Sequence, residues 1–297
     1  MLQIKLSENF RAVFYAPFYA TLELGFLPRE GVEVELIGSS TPGSAVTGLL
    51  DGSIDVTWGG PMRVMKARDE QHGPPLVCFC EVVGRDPFYL IGRRRDAVFA
   101  LQDLVQLKFA SVSEVPTPWL CLQHDLREQG IDPDRVCRIG DRTMAENLEA
   151  LRKHELDVVQ VFEPYASMAV RQGIGDILHA AAERGSTSYT TLLATRDGVE
   201  RKKAALSALV RAIGHTRAWI RGHSGDELAS VVAPYFPSVN REDLASALGR
   251  YEKADLWTCD PSVSRQGFRR LAESLRSGGF ISRMPSYDDC VVDHFSI

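Results

Sequence analysis

The chain has 297 residues, 44% of them hydrophobic and 25% charged, with 34 Lys and Arg against 39 Asp and Glu for a net charge of −5. That length lies near the upper limit of a single core, roughly 250–300 residues, so two lobes are expected, and the ordinary apolar and charged fractions exclude a disordered chain. The arginines are scattered rather than massed, which removes the electrostatic reason to expect nucleic acid or an anionic membrane, and no stretch approaches the ~18–20 apolar residues that cross a bilayer.

Met1-Leu2-Gln3-Ile4-Lys5-Leu6 runs directly into a strand, without the basic and apolar regions of a leader peptide. The expectation is a periplasmic protein if a leader has been removed, and a cytoplasmic one if Met1 is the native start. After the strand at Ile4–Leu6 comes the loop Asn9–Phe14, then a helix from Tyr15 with Pro17 in its first turn and Gly25 at its end. Val32-Glu33-Val34-Glu35-Leu36 alternates with the period of a half-buried strand. A hydroxyl-rich loop, Ser39-Ser40-Thr41-Pro42-Gly43, opens a helix carrying Val46, Leu49 and Leu50, and strands follow at Ile54–Trp58 and Leu76–Val83. This β-α-β-α-β order predicts a mainly parallel sheet with helices on its faces.

Arg85 to Ile91 reads as a crossing into a second lobe, with Arg85 and Asp86 as a hinge pair. There the pattern restarts: a strand at Lys108–Val112, a helix from Val115-Pro116 to Gly130, a strand near Val136–Ile139, a helix at Met144–Leu151, a strand at Asp157–Val161 and a helix from Pro164 to Arg171. Tyr189–Ala194 reads as the return crossing. Leu206, Leu209, Val210 and Ile213 mark a helix with one buried face, and further helices run near Gly225–Tyr235, Arg241–Tyr251 and Pro261–Leu275. They predict a helical layer on the first lobe, with Trp257 in the core. The resulting division is residues 1–86 with 190–297 in lobe I and 87–189 in lobe II.

One phrase occurs twice. Leu49-Leu50-Asp51-Gly52-Ser53-Ile54-Asp55-Val56 and Leu151-Arg152-Lys153-His154-Glu155-Leu156-Asp157-Val158 each read as a helix end, a tight reversal and a buried strand. Each strand then ends in aromatics and proline (Trp58, Pro61; Phe162, Pro164), which points to two similar lobes facing one cleft. The six cysteines lack zinc spacing, and Cys78 and Cys80, alternating with Phe79, read as buried thiols on one face of a strand. The seven histidines show no metal-ligand pattern, so neither metal nor cofactor is expected.

Taken in order, Pro17-Phe18-Tyr19-Ala20, Gly25-Phe26, Gly31-Val32-Glu33-Val34-Glu35-Leu36, Leu50-Asp51-Gly52-Ser53-Ile54-Asp55, Gly130–Val136, Leu156-Asp157-Val158 and Glu163-Pro164 resemble the type 2 periplasmic binding protein fold. The branch they resemble is the nitrate/taurine/alkanesulfonate-binding and thiamine-pyrimidine family. The resemblance implies an α/β fold of two lobes joined by two strands, a ligand cleft between them and a C-terminal helical layer. Fold alone does not give function. The family's thiamine-pyrimidine synthases place a lysine and a reactive histidine after the first apolar-Asp strand, where this chain has Gly59 and Arg63. They also carry a cysteine-rich run where this chain reads Arg184-Gly185-Ser186-Thr187-Ser188. The aryl-sulfinate desulfinases put a nucleophilic cysteine in the loop after the first strand, here Ser7-Glu8-Asn9-Phe10-Arg11.

In such a sheet, ligands bind beyond the carboxyl ends of the strands. Asn9, Phe10 and Arg11 follow the first strand. Ser39, Ser40 and Thr41 either cap a helix or hold an anion at its start. Trp58, Gly59 and Gly60 offer a flat ring and close backbone approach, and Arg63 offers a fork for a carboxylate or sulfonate. In the second lobe Ser113, Thr117 and Trp119 face the cleft, as do Phe162, Glu163 and Tyr165, with Tyr189 as a lid or stacking residue. Glu163 either accepts from an amine or complements a helix dipole.

These residues predict a solute-binding protein that closes over a small aromatic or anionic organic molecule and hands it to the membrane subunits of an ABC importer. The alternatives are a cytosolic decarboxylase or lyase on the same fold, for which no nucleophile-base pair is found, and a ligand sensor.

Overall fold

A computed structural model describes residues 1–38, 44–70, 76–93, 98–258, 260–293 and 295. Its strands are β1 (Leu2–Ser7), β2 (Val32–Ile37), β3 (Val56–Gly59), β4 (Leu76–Val83), β5 (Tyr89–Gly92), β6 (Phe109–Ala110), β7 (Arg138–Ile139), β8 (Val158–Val161), β9 (Asp176–Ala180) and β10 (Thr190–Thr195). They form two five-stranded sheets, ordered β2-β1-β3-β10-β4 and β7-β6-β8-β5-β9. In each sheet the first three strands are parallel and the fourth runs antiparallel to the third. The second sheet thus repeats the first in plan.

The repeated phrase has a repeated physical cause. Asp55 accepts the Lys5 N–H at 2.9 Å and returns its own N–H to the Lys5 carbonyl, also at 2.9 Å. Asp157 makes the same exchange with Lys108, at 2.9 Å both ways. Each aspartate has a cation beside it, Lys202 at 3.2 Å and Arg93 at 3.0 Å respectively. The reversal before each strand needs a left-handed residue: Gly52 supplies it at φ 76°, His154 at φ 63°. Glycine adopts that conformation freely and histidine at a cost of roughly 1 kcal/mol or more.

The helices are α1 (Ala16–Glu23), α2 (Phe26–Arg29), α3 (Ser44–Asp51), α4 (Met62–Asp69), α5 (Thr117–Glu128), α6 (Met144–Arg152), α7 (Tyr165–Arg171), α8 (Arg196–Arg201), α9 (Lys203–Arg221), α10 (Gly225–Val232), α11 (Arg241–Lys253), α12 (Arg265–Ser277) and α13 (Tyr287–Cys290). Their ends follow local chemistry. Thr143 with Glu146 and Ser224 with Glu227 form capping boxes at α6 and α10, and Gly25, Gly130 and Gly173 turn left-handed at helix ends.

The first sheet is mainly parallel, as the element order predicts: β10 runs against both β3 and β4, and the other four strands share one direction. Three expectations need correction. Residues 89–92 and 176–180 are full strands of the second sheet, the former within the segment read as a plain crossing. Cys78 and Cys80 are both buried but not on one face: Cys80 has φ 60° where the β4–β10 register slips, so the two thiols enter different core clusters. Asp86 pairs with Arg184, which also holds Asp125, while Arg85 approaches Asp255 at 4.0 Å; the pairing of Arg85 with Asp86 does not form.

The C-terminal layer also reaches further than expected. Helix α9 covers α1, α2 and β1 of the first lobe, but α11 packs on α7 and α12 on α5, both in the second. Trp257 is core, as anticipated, its indole N–H donating to the Phe14 carbonyl at 2.9 Å.

Candidate functional site

A cavity of about 1220 Å³ opens between the two sheets. Phe10 to Val13, after β1, and Met62, Arg63 and Lys66, at the start of α4, form one wall. Glu114 to Pro116, after β6, and Phe162, Tyr165, Met168 and Arg171, after β8, form the opposite wall. Tyr235 to Asn240 and Asp243 of the helical layer close a third side. The cavity therefore lies beyond the carboxyl ends of the parallel strands of both sheets, where the side-chain ladder ends and loops are free to converge.

Five residues singled out from the sequence line it: Phe10, Arg11, Arg63, Phe162 and Tyr165. Phe10 is half-buried, edge-on to Tyr15 at 5.3 Å and to Phe14 at 6.1 Å. Phe162 crosses Phe14 and Phe88 edge-to-face at 5.2 Å each, so one aromatic cluster runs under both lobes. Asn9 is buried just behind the wall, and its side-chain oxygen accepts from Arg63 Nη2 at 3.3 Å. Thr117, also buried, donates to Met62 Sδ at 2.7 Å and so ties the start of α5 to the start of α4 across the cleft.

The remaining candidates are placed elsewhere. Trp58 is fully buried, stacked on Phe18 at 4.5 Å and edge-on to Tyr19 at 5.6 Å; strand alternation turns it into the core rather than the cleft. Gly59 and Gly60 do not line the cavity; a Cβ on Gly59 would meet Leu193 at 3.4 Å, and one on Gly60 would meet Met62 at 3.3 Å and the Tyr189 carbonyl oxygen at 3.4 Å. Tyr189 packs edge-on to Phe14 behind the wall and is no lid. Trp119 lies on Phe109 at 5.8 Å under Arg138, in the second lobe's own core. Ser113 is exposed, and its N–H is taken by the Arg142 carbonyl at 3.1 Å. Ser39, Ser40 and Thr41 lie outside the described residues.

Glu163 resolves in favour of its helix. Its side chain is fully buried, accepts the Ser167 N–H in the first turn of α7 at 2.8 Å, and receives Arg250 Nε at 2.8 Å. Burial pushes its carboxyl upward, against the hydrogen bond from Ser167 and the charge of Arg250. Glu163 is not among the residues that line the cavity.

Most charge on the cavity wall is internally matched. Arg11 grips Glu8 through two bonds of 3.0 and 2.9 Å, and Glu8 also accepts from the Tyr19 hydroxyl at 2.5 Å. Burial raises the Glu8 carboxyl, but these hydrogen bonds outweigh it and hold the group below its ordinary range. Arg171 holds Asp243 through two 2.7 Å bonds, and Lys66 lies 3.4 Å from Glu70. Among the described residues Arg63 has one long bond, to an uncharged amide. Glu114 uses one carboxylate oxygen to accept the Met144 N–H at 2.9 Å, at the start of α6.

Sequence reading missed Glu114, Lys66, Arg171, Asp243 and the stretch Tyr235 to Asn240. Glu114 was within reach of the strand-end rule, one residue past Ser113. The third wall had no local signal, since only tertiary packing of the helical layer brings it to the cleft.

No cysteine or histidine stands among the described lining residues. Burial pushes the thiols of Cys80 and Cys121 up to about 12 and of Cys290 to about 11, far from thiolate reactivity. Among the described residues no helix is long and apolar enough to cross a membrane, and no group of three metal-ligating side chains gathers.

Two repeated α/β lobes with a cleft at their strand ends define a type 2 periplasmic binding protein fold. The solved structures agree. The periplasmic aliphatic sulphonate binding protein SsuA of Escherichia coli superposes with a TM-score of 0.78 at 16% identity, over 97% of this chain and 96% of that one. A ligand binding component of an ABC-type import system from Staphylococcus aureus gives 0.73 at 15%, over 99% and 98%. Residues 91–233 match the model of the NMT1-like family, the family that the sequence resembles. The protein YtlA of Bacillus subtilis is 22% identical over 293 residues, covering 98% of this chain and 88% of YtlA.

Proposed function

We propose that this protein is a solute-binding protein: it closes its two lobes over a small, mainly apolar organic anion and delivers it to the membrane subunits of an ABC importer. The observation that carries this reading is Arg63, a cavity arginine with one of its five N–H donors engaged among the described residues, beside an aromatic wall formed by Phe10, Phe162 and Tyr165. Its fork suits a carboxylate or sulfonate and the rings suit a planar body. Binding needs no catalytic group. A ligand touching both lobes makes its full set of contacts only when they are together, so it shifts the lobe equilibrium by that difference. The relatives support the role: one is named for aliphatic sulphonates, another as the ligand-binding part of an importer. The hinge follows as the two crossings at 86/87 and 189/190, and the place of action as the outer side of the membrane.

The test is a thermal-shift screen of aromatic carboxylates and sulfonates, with the mixture then weighed by mass spectrometry. At a hundred times its dissociation constant a ligand adds about 2.7 kcal/mol, roughly 4 °C for a chain of this size. The expected result is a shift in the native protein, none in Arg63→Met, and the ligand recovered unchanged. Conversion to a new mass would make the protein an enzyme instead.

A further inference from the structure

The matched charges of the cavity leave a remainder of one on each lobe. Arg63 on the first lobe has no carboxylate partner among the described residues, and Glu114 on the second has no cation. The other charged side chains described above are spoken for, by Glu8, Asp243 and Glu70. Both residues line the one cavity, Arg63 from the start of α4 and Glu114 from the loop after β6, and the contact between Thr117 and Met62 joins these two walls. Glu114 is also held in place, because one oxygen is fixed by the Met144 N–H while the other stays available.

We infer that the ligand is bifunctional: an acid group held by Arg63 and a protonated amine held by Glu114, joined by an apolar, ring-sized body. This rests on the solute-binding reading above and narrows it to a class. Glu114 is exposed in this structure, so its charge is solvated; a simple organic anion would satisfy Arg63 but bring a second negative charge into the cavity that Glu114 lines, a like-charge contact that disfavours closure. A molecule with both charges neutralises each lobe's remainder and bridges them, so its contacts exist in full only in the closed form. The amine-accepting role considered for Glu163 falls to Glu114, since Arg250 already occupies Glu163.

Three probes on one scaffold separate the possibilities: 4-(aminomethyl)benzoate, 4-methylbenzoate and benzylamine, titrated calorimetrically into the native protein, Glu114→Gln and Arg63→Met. The expected result is that 4-(aminomethyl)benzoate binds the native protein at least about tenfold more tightly than 4-methylbenzoate, the size of one charge-assisted hydrogen bond. Glu114→Gln should erase that difference by weakening 4-(aminomethyl)benzoate and strengthening 4-methylbenzoate, a gain that also shows the variant is folded; glutamine can still accept the Met144 N–H. Equal or tighter binding of 4-methylbenzoate by the native protein, with 4-(aminomethyl)benzoate indifferent to Glu114→Gln, would overturn the bifunctional class and leave the solute-binding reading standing. Silence from all three probes in every protein would overturn the proposal together with the anion-binding reading of the cleft.

Discussion

Trp58 separates a core residue from a ligand residue in one experiment. Its side chain is fully buried, face-to-face with Phe18, edge-on to Tyr19 and 5.8 Å from Tyr15. An indole of this kind buries about 150–250 Å², worth ~4–6 kcal/mol at ~25 cal/mol/Å², and large-to-small changes of aromatic core residues measure about 3–5 kcal/mol. Unfolding entropy of ~2.1 cal/mol/K per residue gives about 0.6 kcal/mol/K over the chain, so Trp58→Ala should lower Tm by about 5–8 °C. Trp58→Phe keeps a ring in the stack and removes an indole N–H that has no partner among the described residues, so its loss should be less than half as large. The assay is a thermal scan of both variants, paired with calorimetric titration of 4-(aminomethyl)benzoate well below each Tm, where affinity should stay within about twofold of the native protein. An unchanged Tm with binding abolished would refute the core assignment and return Trp58 to the cleft.

Two further outcomes follow from buried carboxyls. Glu81 is 1% exposed at the end of β4, bonded by the Ser188 hydroxyl and the Ser264 N–H, with Arg217 and Asp260 nearby; burial pushes its carboxyl up to about 7. Since the folded state holds this proton more tightly than the unfolded chain, the contribution is full below pH ~4.5 and is lost as pH rises to about 7, an order-of-magnitude 3 kcal/mol in all. Urea midpoints should fall less between pH 5 and pH 8 in Glu81→Gln than in the native protein, and equal slopes would contradict the assignment. Arg250→Met should destabilise by about 3–5 kcal/mol, because Glu163 is left buried without its cation, and adding Glu163→Gln should restore most of the loss. A double-mutant cycle by urea unfolding reads this directly; a single-variant cost under about 1 kcal/mol would refute it.

The architecture was legible wherever local chemistry repeats. The apolar-Asp-apolar strand openings predicted two equivalent lobes because Asp55 and Asp157 each tie their own strand to the neighbouring one through the backbone of a lysine. The site was only half legible, for a geometric reason. Strand-end position selects the right loops but says nothing of which side a residue faces, so the same rule that found Phe10, Arg63 and Phe162 also returned Trp58, which alternation turns inward. Alternation misled again at Cys80, where a left-handed residue shifts the register. Partnering was equally hidden: Glu163 and Glu114 look alike in sequence, and only Arg250, 87 residues away, distinguishes a consumed carboxylate from an available one.

That distinction extends to how the lobes are held. The helical layer grips the second lobe at two places by different means. At α11 the grip is buried: Arg250 meets a fully buried Glu163, the Tyr251 hydroxyl takes the Glu163 N–H and donates to the Pro87 carbonyl, and Arg171 clasps Asp243. Removing the Arg250 guanidinium would leave the Glu163 carboxylate buried and unpaired, at several kcal/mol. At α12 the polar contacts to α5 are Arg270 with Glu128 and Ser277 with His124, at the surface, where such pairs contribute about 0–1 kcal/mol. The α5–α12 contact is held instead by apolar packing: Leu120 and Cys121 share one buried cluster with Phe268, Leu271 and Leu275, and Arg184 ties Asp125 of α5 to Asp86. The Arg250→Met measurement therefore reads how much the buried pair at α11 contributes, and a cost no larger than that of an Arg270→Met control would show that it contributes no more than the surface pair.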